Sequence, residues 1–320
     1  MKKLLRLGLL TTLLSSSLIA GAGISTGGKA GTYIKIGQDI SKTCSDVVPL
    51  EVFESKGSLD NYNKIVKDPN VKFIIAQYDV LQYMNTIGQK DAKKIKMVYP
   101  LYNEEIHIIT KANMNITKLS ELNGKKVAIG VKGSGTWVTT SLLIEKADLK
   151  WEVVYVGVKD ALKSIVKGEI DALVTVAGVP TKLLSKMPEN ASEVIKIASL
   201  NDPILDNLYA KSTIKAKSYP FQTNAVNTYS IKSILATYDY SPGQPSYKRV
   251  QKLFKCINNN LEKLQNGAGH PKWNEVNFEN YKDVNWDLHR AVKASLSKEP
   301  KKTANDGSAK SSILNALGGM

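Results

Sequence analysis

KKVAIGVKGSGTWVTTSLLIEK, residues 125–146, opens on a β-branched apolar run, turns through glycines at 130, 133 and 135, and continues as a periodic segment. Read as strand, glycine turn and helix, it begins a series: WEVVYV (151–156), KDALKSIVKGEI (159–170), DALVTVAG (171–178), VPTKLLSKM (179–187) and VIKIAS (194–199). Strand and helix alternating in this way predict an α/β fold with parallel sheets covered on both faces.

An earlier series has the same grammar. GIST (23–26) precedes TYIKIGQDISKTC (32–44), VPLEVFES (48–55) precedes SLDNYNKIVKDP (58–69), and VKFIIAQ (71–77) precedes YDVLQYMNTIG (78–88), before IKMVYPLY (95–102) and EEIHIIT (104–110). The chain therefore reads as two α/β lobes. Gly31-Thr32-Tyr33 in the first and Gly135-Thr136-Trp137 in the second occupy equivalent places, each behind a lysine, Lys29 or Lys132. A glycine turn at a helix start aims backbone N–H groups at a ligand, and the helix dipole favours negative charge there. Two such turns, one per lobe, predict a shared site in a cleft. Gln77, Tyr102 and the 177–179 segment, at strand ends, are candidates to line it.

The first turn is also a near miss for a nucleotide-binding loop. Gly23, four residues, Gly28 and Lys29 fit the frame, but Ala30 stands where the loop needs a hydroxyl for Mg²⁺. ATP binding is not expected. A serine hydrolase built on Ser134 is the rival from another class, yet GVKGSGT lacks the first glycine of a nucleophile elbow. His107, in a strand-like run, reads as a hydrogen-bonded core or hinge residue. Glu104 and Glu105 are adjacent, so they fall on opposite faces of a strand and form no acid–base couple. His107, His270 and His289 are too widely spaced for a metal site, and none is expected.

The 320 residues carry a net charge of +15. Lys2, Lys3 and Arg6 precede an apolar run ending in Ala20-Gly21-Ala22, the pattern of a cleaved signal peptide spanning 1–22, so the mature protein is expected to be exported. A retained membrane anchor is the alternative. The remaining lysines are spread singly without interleaved aromatics, which predicts a solvated surface and no nucleic-acid partner. Cys44 and Cys256 are the sole cysteines; in an oxidising compartment they are expected to pair, the alternative being two unrelated buried thiols. From about Tyr219 to Leu296 the β-α alternation stops, with a Trp-bearing helix expected near 273–296 and the whole region packing onto an existing lobe. Residues 297–320 read as a disordered tail.

In order along the chain, GISTGGKAGTYIKIG (23–37), FIIAQYDV (73–80), YPLYNEEIHIIT (99–110), LSELNGKKVAIGVKGSGTWVTTSLL (119–143), GEIDALVTVAGVP (168–180) and YAKSTIKAKSYPFQTNAVNTYSIKSIL (209–235) resemble the TAXI-type solute receptors of TRAP transporters. The resemblance implies a type II periplasmic-binding-protein fold, α/β with mostly parallel sheets, in which two lobes close on a small solute and present it to a membrane permease. It implies lobe I from 23–105 plus 216–296 and lobe II from 106–215, a periplasmic location, no cofactor and no catalysis. The ligand it implies is a small anionic solute, a carboxylate such as an acidic amino acid or dicarboxylate. Carried over, the ligand-facing residues are Thr26, Gly28, Thr32, Tyr33, Gln77, Tyr102, Ser134, Gly135, Thr136, Ala177, Gly178, Val179 and Tyr219. Both cysteines would then lie in lobe I. Lys29, Lys132, Trp137 and Tyr78 depart from the family pattern, and the two lysines would favour an anion if they faced the cleft.

Overall fold

A computed structural model describes residues 22–267 and 269–297. Of the expected signal peptide only Ala22, and of the expected tail only Ser297, are among them.

The first half builds β1 (Ala22–Ser25), α1 (Thr32–Thr43), β2 (Leu50–Phe53), α2 (Ser58–Lys67), β3 (Val71–Gln77) and α3 (Tyr78–Thr86). Each helix turns an apolar stripe inward. In α2 the buried positions are Ser58, Asn61, Tyr62 and Ile65, spaced three and four apart as one helix face requires. β3 is buried along nearly its whole length, which is why VKFIIAQ reads as a continuous apolar run instead of an alternation. Then comes β4 (Ile95–Lys111), followed by β5 (Lys126–Ala128), α4 (Gly135–Lys146), β6 (Glu152–Val154), α5 (Val158–Val166), β7 (Ala172–Ala177) and β8 (Ile195–Ile197). A short α6 (Pro203–Asp206) leads to β9 (Ala210–Ile214) and β10 (Val226–Tyr238). The chain closes with α7 (Pro245–Asn259), α8 (Leu261–Asn266) and α9 (Arg290–Leu296).

All ten strands join one hydrogen-bonded sheet, ordered β2-β1-β3-β10-β4-β7-β5-β6, with β8 on β4 and β9 on β10. Strands pair in parallel toward both ends, β2-β1-β3 and β7-β5-β6, as the β-α alternation predicts. Through the middle, where β4 and β10 cross, every pairing is antiparallel. IKMVYPLY and EEIHIIT, which the sequence suggests as two strands, are one strand of 17 residues.

The core divides along these two strands. Met97 to Tyr102 of β4 and Ile234 to Ala236 of β10 pack in one cluster with β1–β3, α1 and α7. Ile106, Ile108, Tyr229 and Ile231 pack in a second cluster with α4 and β7, and Ile109 and Val226 in a third with α5. At the changeover the ladder slips: two steps along β10 from Lys232 to Ile234 are matched by three along β4 from Asn103 to Pro100. Pro100 has no N–H to contribute, so the ladder is weakest there.

Two expectations for the last region change. β10 is a central strand spanning both halves, although NTYSIKSILATY carries no β-α context. The Trp-bearing stretch is not one helix: Pro271–Glu275 and Phe278–Asp283 are single 3-10 turns, and only Arg290–Leu296 is α-helical. Its apolar residues Trp273, Val276, Phe278 and Val284 are each buried, but spacings of two, three and six do not form a helical stripe. The expected disulfide is present, Cys44 to Cys256, with Cα atoms 5.9 Å apart. Cys44 caps the end of α1 and Cys256 lies on α7, so the bond staples the first cluster. Among the described residues no helix is long and apolar enough to cross a membrane.

Candidate functional site

Four helices begin around one point. α1 follows the Gly27–Gly31 turn, α2 follows Lys56-Gly57, α3 starts directly after β3, and α4 follows Gly133-Ser134. The first N–H groups of a helix have no partner within it, and the dipole leaves that end positive. Gly57 and Gly133 turn the chain with φ of +111° and +92°, a left-handed region that favours glycine. These starts, the end of β7 and the crossing of β4 line a half-open cavity of about 140 Å³. Drug-sized ligands occupy sites of roughly 300–1,000 Å³. The cavity fits a smaller solute.

The two halves meet over it. Asp60 N donates to Gly133 O at 3.1 Å. Thr32 Oγ1 donates to Gly178 O at 3.4 Å, and Gln77 Nε2 donates to Thr139 Oγ1 at 3.4 Å. Asp79 accepts from Thr139 Oγ1 at 2.8 Å and from Tyr209 Oη at 3.0 Å. Gly135 comes so close to Gln77 that a Cβ there would lie 1.6 Å from Oε1. A side chain there would require Gln77 and Ser58 to move.

Nine of the expected ligand-facing residues line the cavity: Thr32, Tyr33, Gln77, Tyr102, Ser134, Gly135, Thr136, Ala177 and Gly178. Four do not. Thr26 is fully buried behind the turn, donating to Phe53 O at 2.9 Å and packing its methyl where a Cβ on Gly37 would collide. Gly28 is exposed, and Val179 follows the wall residue Gly178 with its N–H donated to Glu105. Tyr219 is buried beneath, with His107 Nε2 2.9 Å from its hydroxyl. The departures also stay outside. Lys29 is 85% exposed with Glu54 at 3.8 Å, and Lys132 stacks over Tyr155.

Other lining residues escape the sequence reading: Lys56, Gly57, Ser58 and above all Glu104. Ser58 is buried and central to the wall. Its Oγ donates to Gln77 Oε1 at 3.3 Å, accepts from Gln77 N at 3.1 Å and lies 3.1 Å from Tyr33 Oη. The signal for it is in plain view, because Lys-Gly-Ser occurs at both 56–58 and 132–134.

Glu104 and Glu105 take opposite faces, as strand geometry requires. Glu105 turns away from the cavity and meets Lys272 Nζ at 2.6 Å, which also pairs with Glu275. Glu104, 3% exposed, turns into it, and its Oε1 has no hydrogen-bond partner; neither does Tyr102 Oη two residues before. Burial pushes the Glu104 carboxyl well above the ordinary range, with the charges of Asp79 and Glu105 adding to the effect. Burial likewise raises the Tyr33 and Tyr102 hydroxyls, and Glu104 adds to both.

The geometry gives no support to a Ser134 hydrolase. Ser134 Oγ accepts from Trp137 N at 3.1 Å as the cap of α4, and both ring nitrogens of His107 are engaged, by Glu105 O and Tyr219 Oη. Burial lowers the His107 pKa to about 4, leaving the ring neutral.

Similar solved structures share this architecture. The periplasmic binding protein BugD superimposes with a TM-score of 0.52 over 87% of this chain and 92% of its own, at 10% identity. A histidine kinase sensor domain with similarity to periplasmic binding proteins gives 0.51 over 80% and 96%, at 15% identity. A protein from Bordetella bronchiseptica RB50 gives 0.50 over 87% and 81%, at 14% identity. Identities this low speak to fold alone, and the fold is that of two-lobed periplasmic binding proteins. The family model that matches the sequence, over residues 24–293, describes the NMT1-like family.

Proposed function

We propose a function from one premise: the chain belongs to the NMT1-like family. It acts as an extracytoplasmic solute receptor of the TAXI type, closing on a small carboxylate and delivering it to the membrane permease of a TRAP transporter. One observation carries this reading: the starts of α1, α2, α3 and α4 surround a small cavity where two halves of the molecule meet. Converging helix starts favour an anionic group, and Thr32, Ser58 and Thr136 add hydroxyls. The periplasmic-binding-protein fold supports the same conclusion, as do the signal-like residues 1–22. Lobe I is 23–105 plus 216–296 and lobe II is 106–215; the apolar clusters part near residue 105 on β4, whereas on β10 the stretch from Val226 to Ile231 still packs with the second and third clusters.

A thermal-shift screen of amino acids, dicarboxylates and monocarboxylates tests it. A ligand present at 100 times its Kd stabilises the folded protein by about 2.7 kcal/mol. At least one carboxylate is expected to raise Tm in a concentration-dependent way. Silence across the whole panel would overturn the receptor reading.

A further inference from the structure

The cavity wall combines two kinds of chemistry. Helix starts and Lys56 supply positive character, and the face of β4 that carries Tyr102 and Glu104 supplies acceptors. We propose that Glu104, with Tyr102 beside it, receives a protonated amine, so that the site selects a zwitterionic amino acid and rejects the dicarboxylate of matching shape. This inference rests on the receptor reading and narrows its ligand class.

The argument starts from what Glu104 lacks. A buried carboxylate ordinarily finds a cation or several donors, because the desolvation cost is otherwise large. Glu105 shows the ordinary solution, with Lys272 at 2.6 Å. Glu104 has no such partner: Lys272 is engaged on the other side of the strand, and Oε1 accepts nothing although it is buried against the cavity. The groups around it are Tyr33 from α1, Tyr102 on its own strand, Asp79 from α3, Glu105 and the more distant Lys272. Together with Glu104 they hold three carboxyls to one cation, and that cation already bridges two acids. An ammonium group offers three donors and a positive charge, and so answers both deficits in one contact. Tyr102 Oη, also unpartnered, supplies an acceptor on the same face.

A dicarboxylate meets the reverse situation. With its first carboxylate at the helix starts, its second gives up hydration beside Tyr102 and Glu104, where Asp79 and Glu105 are the nearby charges and, among the described residues, no free cation replaces the lost water. Discrimination then comes from that uncompensated cost to the wrong ligand as much as from attraction of the right one. Burial holds a proton on Glu104 when no cation is near, and the arriving ammonium displaces it. Amino acid binding therefore releases one proton from this site.

Isothermal titration with each common amino acid and its deaminated counterpart, such as glutamate with glutarate and aspartate with succinate, decides the matter. Wild type is expected to bind at least one amino acid about tenfold or more tightly than its counterpart, with proton release seen as a dependence of heat on buffer ionisation enthalpy. Glu104→Gln is expected to lose that preference and the proton release while its melting temperature stays near wild type. Should Glu104→Gln fail to fold, Tyr102→Phe, which removes one hydroxyl, is expected to weaken the amino acid several-fold and leave the counterpart unchanged. Tighter binding of the deaminated member by wild type would overturn the proposal, as would an unaltered preference in the variants, while the receptor reading would survive. Absence of any binding would remove both.

Discussion

Lys-Gly-Ser at 56–58 and Lys-Gly-Ser at 132–134 are the same three residues, both with a left-handed glycine, both opening a helix, and they meet each other at the wall of one cavity. They do different work. In the first, Gly57 is the cap and Ser58 the first residue of α2, so its hydroxyl faces inward to Gln77 and Tyr33. In the second, the helix starts one residue later: Ser134 is the cap, its hydroxyl is taken by Trp137 N, and Gly135 is the residue that faces the cavity. Both serines line the cavity, but a shift of one position commits the second one's hydroxyl to a cap. Contact chemistry at a helix start is thus set by where the helix begins as well as by which residues are present.

Four measurements sharpen that contrast. The largest expected effect separates the bodies that carry the two turns. The Cys44–Cys256 bond staples the first cluster and closes a loop spanning 212 positions, so reducing it should cost about 2–5 kcal/mol of stability. Hydrogen exchange should show the loss around α1 and α2 and leave α4 and α5 little changed. Uniform deprotection would break the distinction.

The second effect follows from Thr139, one turn into α4, which ties that helix to Asp79 of α3 in the other half. Burial raises the Asp79 carboxyl from 3.8 to about 6. The folded state therefore holds a proton that the unfolded chain has lost. This contribution is greatest below about pH 4 and declines as pH rises through 6, by at most roughly 3 kcal/mol. Asp79→Asn should flatten that part of the Tm profile between pH 4 and 7; an unchanged slope would point to another group.

Third, Gly135→Ala should weaken ligand binding by about 10- to 100-fold, since overpacking typically costs about 1–3 kcal/mol and Gln77 must give up its bonds to Ser58 and Thr139. Its counterpart Leu59 is half-buried and packs its side chain against the first cluster, so a harmless Gly135→Ala would erase the asymmetry. The smallest effect is Ser134→Ala, a lost cap costing about 1 kcal/mol in chemical denaturation with little change in affinity. Ser58→Ala should instead act mainly on affinity, because it strips Gln77 and Tyr33 of a shared partner.

Much of this was legible beforehand. The alternation of β-branched runs with periodic segments gives the two halves, and the glycine turns give the starts of α1 and α4, because period and backbone freedom are local properties. Gln77, Ala177 and Gly178 follow from the rule that strand ends line the crevice; Tyr102, read as a strand end, lines it from the middle of β4. Glu104 did not emerge, for a definite reason. Alternation separates it from Glu105, but which of two faces meets the cavity depends on how β4 is laid between β10 and β7, and nothing local encodes that. β10 stayed hidden likewise, since its neighbours β3 and β4 lie more than a hundred residues earlier. Thr26 was over-read: it sits in the turn sequence, yet Gly37 leaves a hollow that its methyl fills.

The slip beside Pro100 has a consequence for what another molecule can learn from this one. On either side of it β4 and β10 stay laddered to each other, so lengthwise sliding of the halves would break those bonds, whereas bending or twisting at the slip would not. On the receptor reading proposed above, any solute that completes the cleft would then produce the same change of angle, and the solute's own chemistry would go no further than the wall that reads it. A permease served by such a receptor would respond to closure and not to cargo.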